Sequence, residues 1–168
     1  MAQRGEGGEV KYVFDASAVG VVLERLKARG LKYLEGTITL DLALYELGNL
    51  FWKACYSKKA IGEEEALEGA RGLAKVFELM RRERLRVEDA EGVMALALRL
   101  GLTFYDASYL YLAKSRGGVF VTEDAALLNG AKAVRVKAIK VEEYLAERAS
   151  QPPRPARRGQ SLDPSITS

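Results

Sequence analysis

An α/β fold built on a mainly parallel sheet is what this sequence predicts, and two observations predict it. Short apolar runs of strand character alternate with longer amphipathic stretches from residue 10 to residue 148. Helix start and stop signals fall at the joins, among them Asp41, Gly101 and the pair Gly117-Gly118. Taken in order, residues 10–14 read as a buried strand, 18–28 as a helix and 36–40 as a short strand. Asp41 is placed to cap a helix running to about residue 56. A helix over 63–84 follows, with acids in its first turn, and then one over 87–100 ended by Gly101. Residues 102–105 read as a strand, 106–115 as a helix, 119–122 as a strand and 124–128 as a short helix. A last strand over 134–136 and a terminal helix over 141–148 complete the body.

The chain has 168 residues, 48% hydrophobic and 29% charged, which suits one globular domain with a real core. Residues 1–9 are Gly-rich and polar and are expected to be flexible, residues 10–148 to form the domain, and residues 149–168 to form a flexible Pro/Arg-rich tail. All four prolines lie in that last stretch. No run approaches the roughly 18 apolar residues of a membrane span, and no signal-peptide core is visible, so a cytoplasmic protein with no membrane partner is expected. One cysteine and no histidine exclude an internal disulfide, Cys/His zinc sites and His-based triads. Scarce Asn and Gln beside abundant Glu, Lys and Arg match the composition of heat-adapted proteins. The net charge is +3, of which three arginines against one aspartate place two units in the tail, so the body is not broadly basic.

Four acids carry the chemistry. Asp15 ends Val13-Phe14-Asp15, Asp106 follows Leu102-Thr103-Phe104-Tyr105, Asp124 closes Val119-Phe120-Val121-Thr122-Glu123-Asp124, and Glu46 lies a full turn inside its helix. In open α/β sheets ligands bind beyond the carboxyl ends of the strands, where three of these acids fall. Each Asp can also be read as a helix N-cap, worth roughly 1 kcal/mol. Glu46 cannot, and Asp106 shares a helical face with Leu110 and Ala113, which points it inward. Two carboxylates about 4 Å apart repel by roughly 4 kcal/mol at an effective dielectric of about 20. A cluster of four therefore needs cations or the protonation of some members; a divalent metal is the economical solution, and all-oxygen donors suit Mg²⁺ or Mn²⁺. Ser17 and Thr122, each two residues from an acid, are placed either to orient a carboxylate or to cap a helix. Glu123 is read as a solvated residue of a helix's first turn rather than a fifth ligand.

In order and spacing, these segments resemble the PIN domain, specifically the VapC-type toxins of prokaryotic toxin–antitoxin pairs. The matching motifs are Val13-Phe14-Asp15-Ala16-Ser17-Ala18, Tyr45-Glu46-Leu47-Gly48-Asn49-Leu50-Phe51-Trp52-Lys53, Phe104-Tyr105-Asp106-Ala107-Ser108-Tyr109-Leu110-Tyr111-Leu112-Ala113 and Val121-Thr122-Glu123-Asp124-Ala125-Ala126-Leu127. They span about residues 10–145, and the tail falls outside them. The resemblance implies a three-layer sandwich with a central, mainly parallel twisted sheet flanked by helices. It implies an endoribonuclease dependent on Mg²⁺ or Mn²⁺, with Asp15, Glu46, Asp106 and Asp124 as the acidic quartet and Asp15 and Asp106 foremost among the ligands. It also implies an RNA substrate, a homodimer and inhibition by a small antitoxin. An apolar stripe of Leu67, Ala70, Leu73, Ala74, Phe77 and Met80, extended by Phe51, Trp52 and Tyr56, is expected to serve core packing in the main, with any surplus left for such a partner.

Other functions are weaker on the residues. A haloacid-dehalogenase-like phosphatase wants a second Asp where Ser17 stands, and a receiver domain wants an acidic pair where Asp15 is followed by Ala16. A non-catalytic PIN-like binding module is expected to lack some of the four acids. A housekeeping PIN nuclease of RNA processing remains the enzymatic alternative, without a zinc ribbon because Cys55 is the only cysteine.

Overall fold

The computed structural model describes residues 10–150, so the expectations for residues 1–9 and 151–168 lie outside the described residues. Five parallel strands, β1 (Tyr12–Phe14), β2 (Ile38–Leu40), β3 (Arg81–Glu83), β4 (Val119–Val121) and β5 (Ala138–Ile139), form one sheet in the order β3-β2-β1-β4-β5. The helices are α1 (Ala16–Leu26), α2 (Leu31–Leu34), α3 (Leu42–Trp52), α4 (Glu63–Leu79), α5 (Ala90–Leu100), α6 (Phe104–Arg116), α7 (Ala125–Ala133) and α8 (Val141–Ala149). α1 packs with α2, α3 and α8, and α3 with α4, while α6 packs with α5 and α7. This is the expected three-layer α/β sandwich. Every residue of β1, β2 and β4 is buried, as strands covered on both faces must be.

Several local readings change. The helix expected over 63–84 ends at Leu79, and residues 81–83 form β3 instead. Arg81 and Arg82 are exposed there, and their charges suit an edge strand, which must not invite further pairing. The strand expected over 102–105 is absent. Gly101 closes α5 at φ +66°, and Thr103 caps α6 by accepting the Asp106 N–H, so the link spans only Leu102 and Thr103. The apolar side chains that mimic a strand, Leu102 and Phe104, instead pack on a small second core of Val93, Ala97 and Ala107 between α5 and α6. The last strand lies beyond the expected 134–136, at Ala138–Ile139, after Arg135 turns the chain at φ +58°. Asp41 is helical and caps nothing; its carboxylate pairs with Arg84 at 3.5 Å and Arg82 at 4.0 Å.

The chain runs outward from β1 to β2 and β3, then returns to place β4 on the other side of β1. The carboxyl ends of β1 and β4 are therefore the switch point, where an open α/β sheet has its crevice.

One close approach fixes how α3 meets α4. A Cβ at Gly69 of α4 would stand 2.4 Å from the Phe51 ring of α3. Gly69→Ala is expected to destabilise the chain by about 1–3 kcal/mol, the usual cost of overpacking, despite alanine's better helix propensity. Urea denaturation checks this, and Gly69→Ala combined with Phe51→Ala should recover part of the loss. A single Gly69→Ala more stable than the parent would show that the helices separate freely.

Candidate active site

Asp15 is the first residue beyond β1, and both its oxygens are engaged. Oδ1 accepts the Ser17 hydroxyl at 2.8 Å and the Ala18 N–H at 2.8 Å, and Oδ2 accepts the Thr122 hydroxyl. The Asp15 N–H donates to the Val121 carbonyl at 3.3 Å, so the residue is held to the end of β4 by backbone and side chain alike. It is thus an N-cap of α1 and a buried carboxylate at once, only 4% exposed. Ser17 and Thr122 do orient this acid.

Glu46 reaches the same region from α3. Its Oε2 accepts the Tyr109 hydroxyl of α6 at 2.5 Å. Tyr109 is fully buried, and the sequence reading passed over it as part of an apolar helix. Its signal was faint: one tyrosine, three residues past Asp106, on the side of α6 that turns to the sheet. Burial and the adjoining Glu46 carboxylate push its phenol far above the ordinary value, so it is a permanent donor.

Asp106 is placed differently from expectation. It follows no strand and does not point into the core; it sits half-exposed in the first turn of α6, where its Oδ2 accepts the Thr103 hydroxyl at 2.7 Å. Asp124 follows β4 and caps α7, accepting the Leu127 N–H at 2.9 Å, and its own N–H donates to Thr122 Oγ1 at 3.1 Å. Thr122 is therefore the link between Asp15 and Asp124. Glu123 is not a solvated first-turn residue: it is half-buried ahead of α7 and accepts the Val141 N–H at 2.9 Å at the start of α8.

Electrostatics tie three of the four together. Burial pushes the Asp15 carboxyl above its ordinary value, against the hydrogen bonds from Thr122, Ala18 and Ser17, and the Asp106 charge pushes it the same way. Burial also raises Glu46, with Asp15 and Asp106 both adding to it. Asp15 thus senses the Asp106 charge and Glu46 senses both, whereas Asp124 joins them through Thr122. Among the described residues no Lys or Arg forms a salt bridge with any of the four. No three acids among the described residues are drawn together as a preformed metal cluster either. Each carboxylate instead rests on a neutral donor of its own: Thr122 and Ser17, Tyr109, Thr103, or the Leu127 N–H. The donor set is all oxygen, negative and without an internal counter-ion, which fits a hard divalent cation.

The raised Asp15 carboxyl has a consequence for stability. A folded-state value above the unfolded one means that the folded chain holds the proton more tightly, so stability from this group falls as pH rises through that window. In chelator, Asp15→Asn should melt above the parent near pH 7, and the gap should shrink as pH is lowered toward about 4. Thermal denaturation by circular dichroism checks it; a gap that widens on acidification would show Asp15 to be stabilised as the anion.

No family model matches the chain. Over 142 residues it is 36% identical to the exonuclease VapC9 of Pyrobaculum aerophilum, covering 84% of this chain and 98% of that protein. Over 125 residues it is 33% identical to the ribonuclease VapC3 of the same organism, covering 70% of this chain and 92% of that protein. Among solved structures it is similar to the crystal structure of the Pyrobaculum aerophilum protein PAE2754, with a TM-score of 0.67 and 36% identity over 84% of this chain and 98% of that one. The resemblance carried by the four motifs thus extends over nearly the whole length of these relatives, and the chain belongs to the VapC family of nucleases.

Proposed function

We propose that the chain is an endoribonuclease that hydrolyses phosphodiester bonds of single-stranded RNA with Mg²⁺ or Mn²⁺, acting in the cytoplasm as the toxin of a VapBC-type pair. The observation that carries this reading is the group Asp15, Glu46 and Asp106, mutually repelling and without a salt-bridge partner at the crevice of the sheet. Asp15, Glu46, Asp106 and Asp124 would hold the ion. A bound divalent cation supplies charge neutralisation and Lewis acidity toward the phosphoryl oxygens. The chain's own part is orientation. Ser17 and Thr122 fix both oxygens of Asp15, Tyr109 fixes Glu46, and Thr103 holds Asp106 at the first turn of α6. The half-exposed Asp106 and exposed Asp124 leave an open rim, which favours cleavage within a strand over cleavage from an end.

An antitoxin would take what the core leaves uncovered of the expected stripe. Phe77 and Met80 belong to the core, at 7% and 5% exposure, and so do Leu73 and Val76. The large side chains of the stripe and its extension left in solvent are Leu67, Trp52 and Tyr56, with Leu50 beside them where α3 ends and α4 begins, and these would receive an amphipathic antitoxin helix. Met94 and Leu98, exposed on α5, would serve a homodimer.

Purified protein should cut single-stranded RNA in Mg²⁺ or Mn²⁺ and stop in EDTA, and undiminished cleavage in chelator would end the metal reading. Asp15→Asn and Asp106→Asn should each lower the rate by about 100-fold or more while the fold persists by circular dichroism. Tyr109→Phe, which removes only the hydroxyl that holds Glu46, should lower kcat by roughly tenfold with KM little changed. A Tyr109→Phe protein of full activity would make that hydrogen bond purely structural.

A further inference from the structure

Beside the acids lies a cavity of about 280 Å³ that the reading above does not use. It opens between the first turns of α3 and α6 and the end of β2. Leu40, Leu42, Leu85 and Phe104 line it, and so do Tyr45 and Tyr105. Those two tyrosines are 73% and 62% exposed. Among the described residues neither ring packs against another aromatic ring, and neither hydroxyl has a hydrogen-bond partner. Each stands one residue before a site acid, Tyr45 before Glu46 and Tyr105 before Asp106. Two large aromatic side chains are therefore left open at one cavity, each about 100° around its helix from a carboxylate of the crevice.

We propose that this cavity is a nucleobase subsite, in which an unpaired base next to the scissile phosphate of a single-stranded substrate stacks on Tyr45 and Tyr105. The inference rests on the nuclease reading and adds to it the part that holds the base. Three features select this occupant. A strand whose phosphate lies among Glu46, Asp106 and Asp15 has the residues next to two of those acids, Tyr45 and Tyr105, open to its neighbouring base. Single-stranded RNA is recognised by splaying bases onto aromatic faces, which every base possesses. The charged side chains of the cavity wall, Asp41 and Arg84, form an ion pair at 3.5 Å, with Arg84 88% exposed. The guanidinium offers a cation to the backbone phosphate, and the carboxylate an acceptor to a base N–H. The other exposed aromatic pair, Trp52 and Tyr56, contrasts with this one. Its rings are already stacked on each other, with centroids 5.2 Å apart and planes at 18°.

The test uses the full-length chain carrying Asp15→Asn, so that substrate survives, and a fluorescein-labelled single-stranded oligouridylate read by anisotropy. A second probe is the same strand with abasic riboses. Stacking on an aromatic side chain contributes about 1–3 kcal/mol per base, so Tyr45→Ala and Tyr105→Ala should each weaken the intact probe by about fivefold or more. Tyr45→Phe and Tyr105→Phe, which keep the ring, should stay within about twofold. The abasic probe should bind the unaltered pocket about fivefold or more weakly than the intact probe does, a comparison that requires no pocket variant to fold. Equal affinity for intact and abasic strands overturns the subsite, as does full affinity in the double alanine variant. A double alanine variant that turns a dimer into a monomer in light scattering, with probe affinity unaltered, overturns it too and gives the cavity to a second copy of the chain. A chain without Asp15→Asn that cuts no RNA, while the abasic difference persists, removes the nuclease reading and sustains the subsite.

Discussion

The burial of Asp15 is the constraint on which the rest of this structure depends. A carboxylate cannot be taken from water beside the ends of two apolar strands unless its oxygens are satisfied. Thr122 from β4 and Ser17 and Ala18 from α1 supply the donors, and the Asp15 N–H returns a bond to the Val121 carbonyl. These contacts join the start of α1 to the end of β4 across the switch point of the sheet. The crevice is thus shaped by the same hydrogen bonds that make its central acid tolerable, and Asp124 is brought in because its N–H shares the Thr122 hydroxyl.

The other acids follow a related rule. Every one is held by a neutral hydroxyl or N–H, and none by a cation. A neutral donor can orient a carboxylate without cancelling its charge, so the negative potential of the crevice survives folding. That is the difference between a structural ion pair, as at Asp41 with Arg84 or Glu83 with Arg116, and a site kept ready for an external positive charge. The cost shows in the raised carboxyls of Asp15 and Glu46, which burial and mutual repulsion both produce.

How much of this was legible in the sequence differs residue by residue. The fold class was, because buried strands such as Val119–Val121 are unbroken apolar runs and the glycine stop at Gly101 is a local signal. Asp15 and Asp124 were placed correctly, since an acid directly after such a run has few positions open to it. Asp106 does come close enough to act on Asp15 and Glu46 electrostatically, but not by following a strand. Leu102 and Phe104 resemble a strand by composition, yet they fill a second small core, and the helix starts at Phe104 after the Thr103 cap. β3 was missed because an edge strand takes charged residues, and Arg81-Arg82-Glu83 continues a helical pattern without interruption. Tyr109 was out of reach. Its role comes from a partner 63 positions away on another helix, and no local period marks a tyrosine whose hydroxyl finds a carboxylate rather than water.

The apolar stripe of α4 shows the same limit from the other side. Hydrophobic periodicity reports that a helix has an apolar face but not where along its length the core stops. In α4 the buried residues are Leu73, Val76 and Phe77, all in the second half, while Leu67 in the first half stays exposed. The first half instead meets the end of α3 through the Gly69–Phe51 approach. Leu50, Trp52 and Tyr56 continue the uncovered face on that neighbouring segment. A helical pair that continues its apolar pattern beyond the core, on a chain that keeps an uncompensated acidic crevice, has two kinds of unsatisfied surface of different chemistry. One calls for apolar contact and the other for positive charge. A single amphipathic helix bearing a basic side chain could answer both only if it ran from the α3–α4 junction toward Glu46. Glu46 lies on the same helix as Leu50 and Trp52, so α3 itself would set the direction of such a partner.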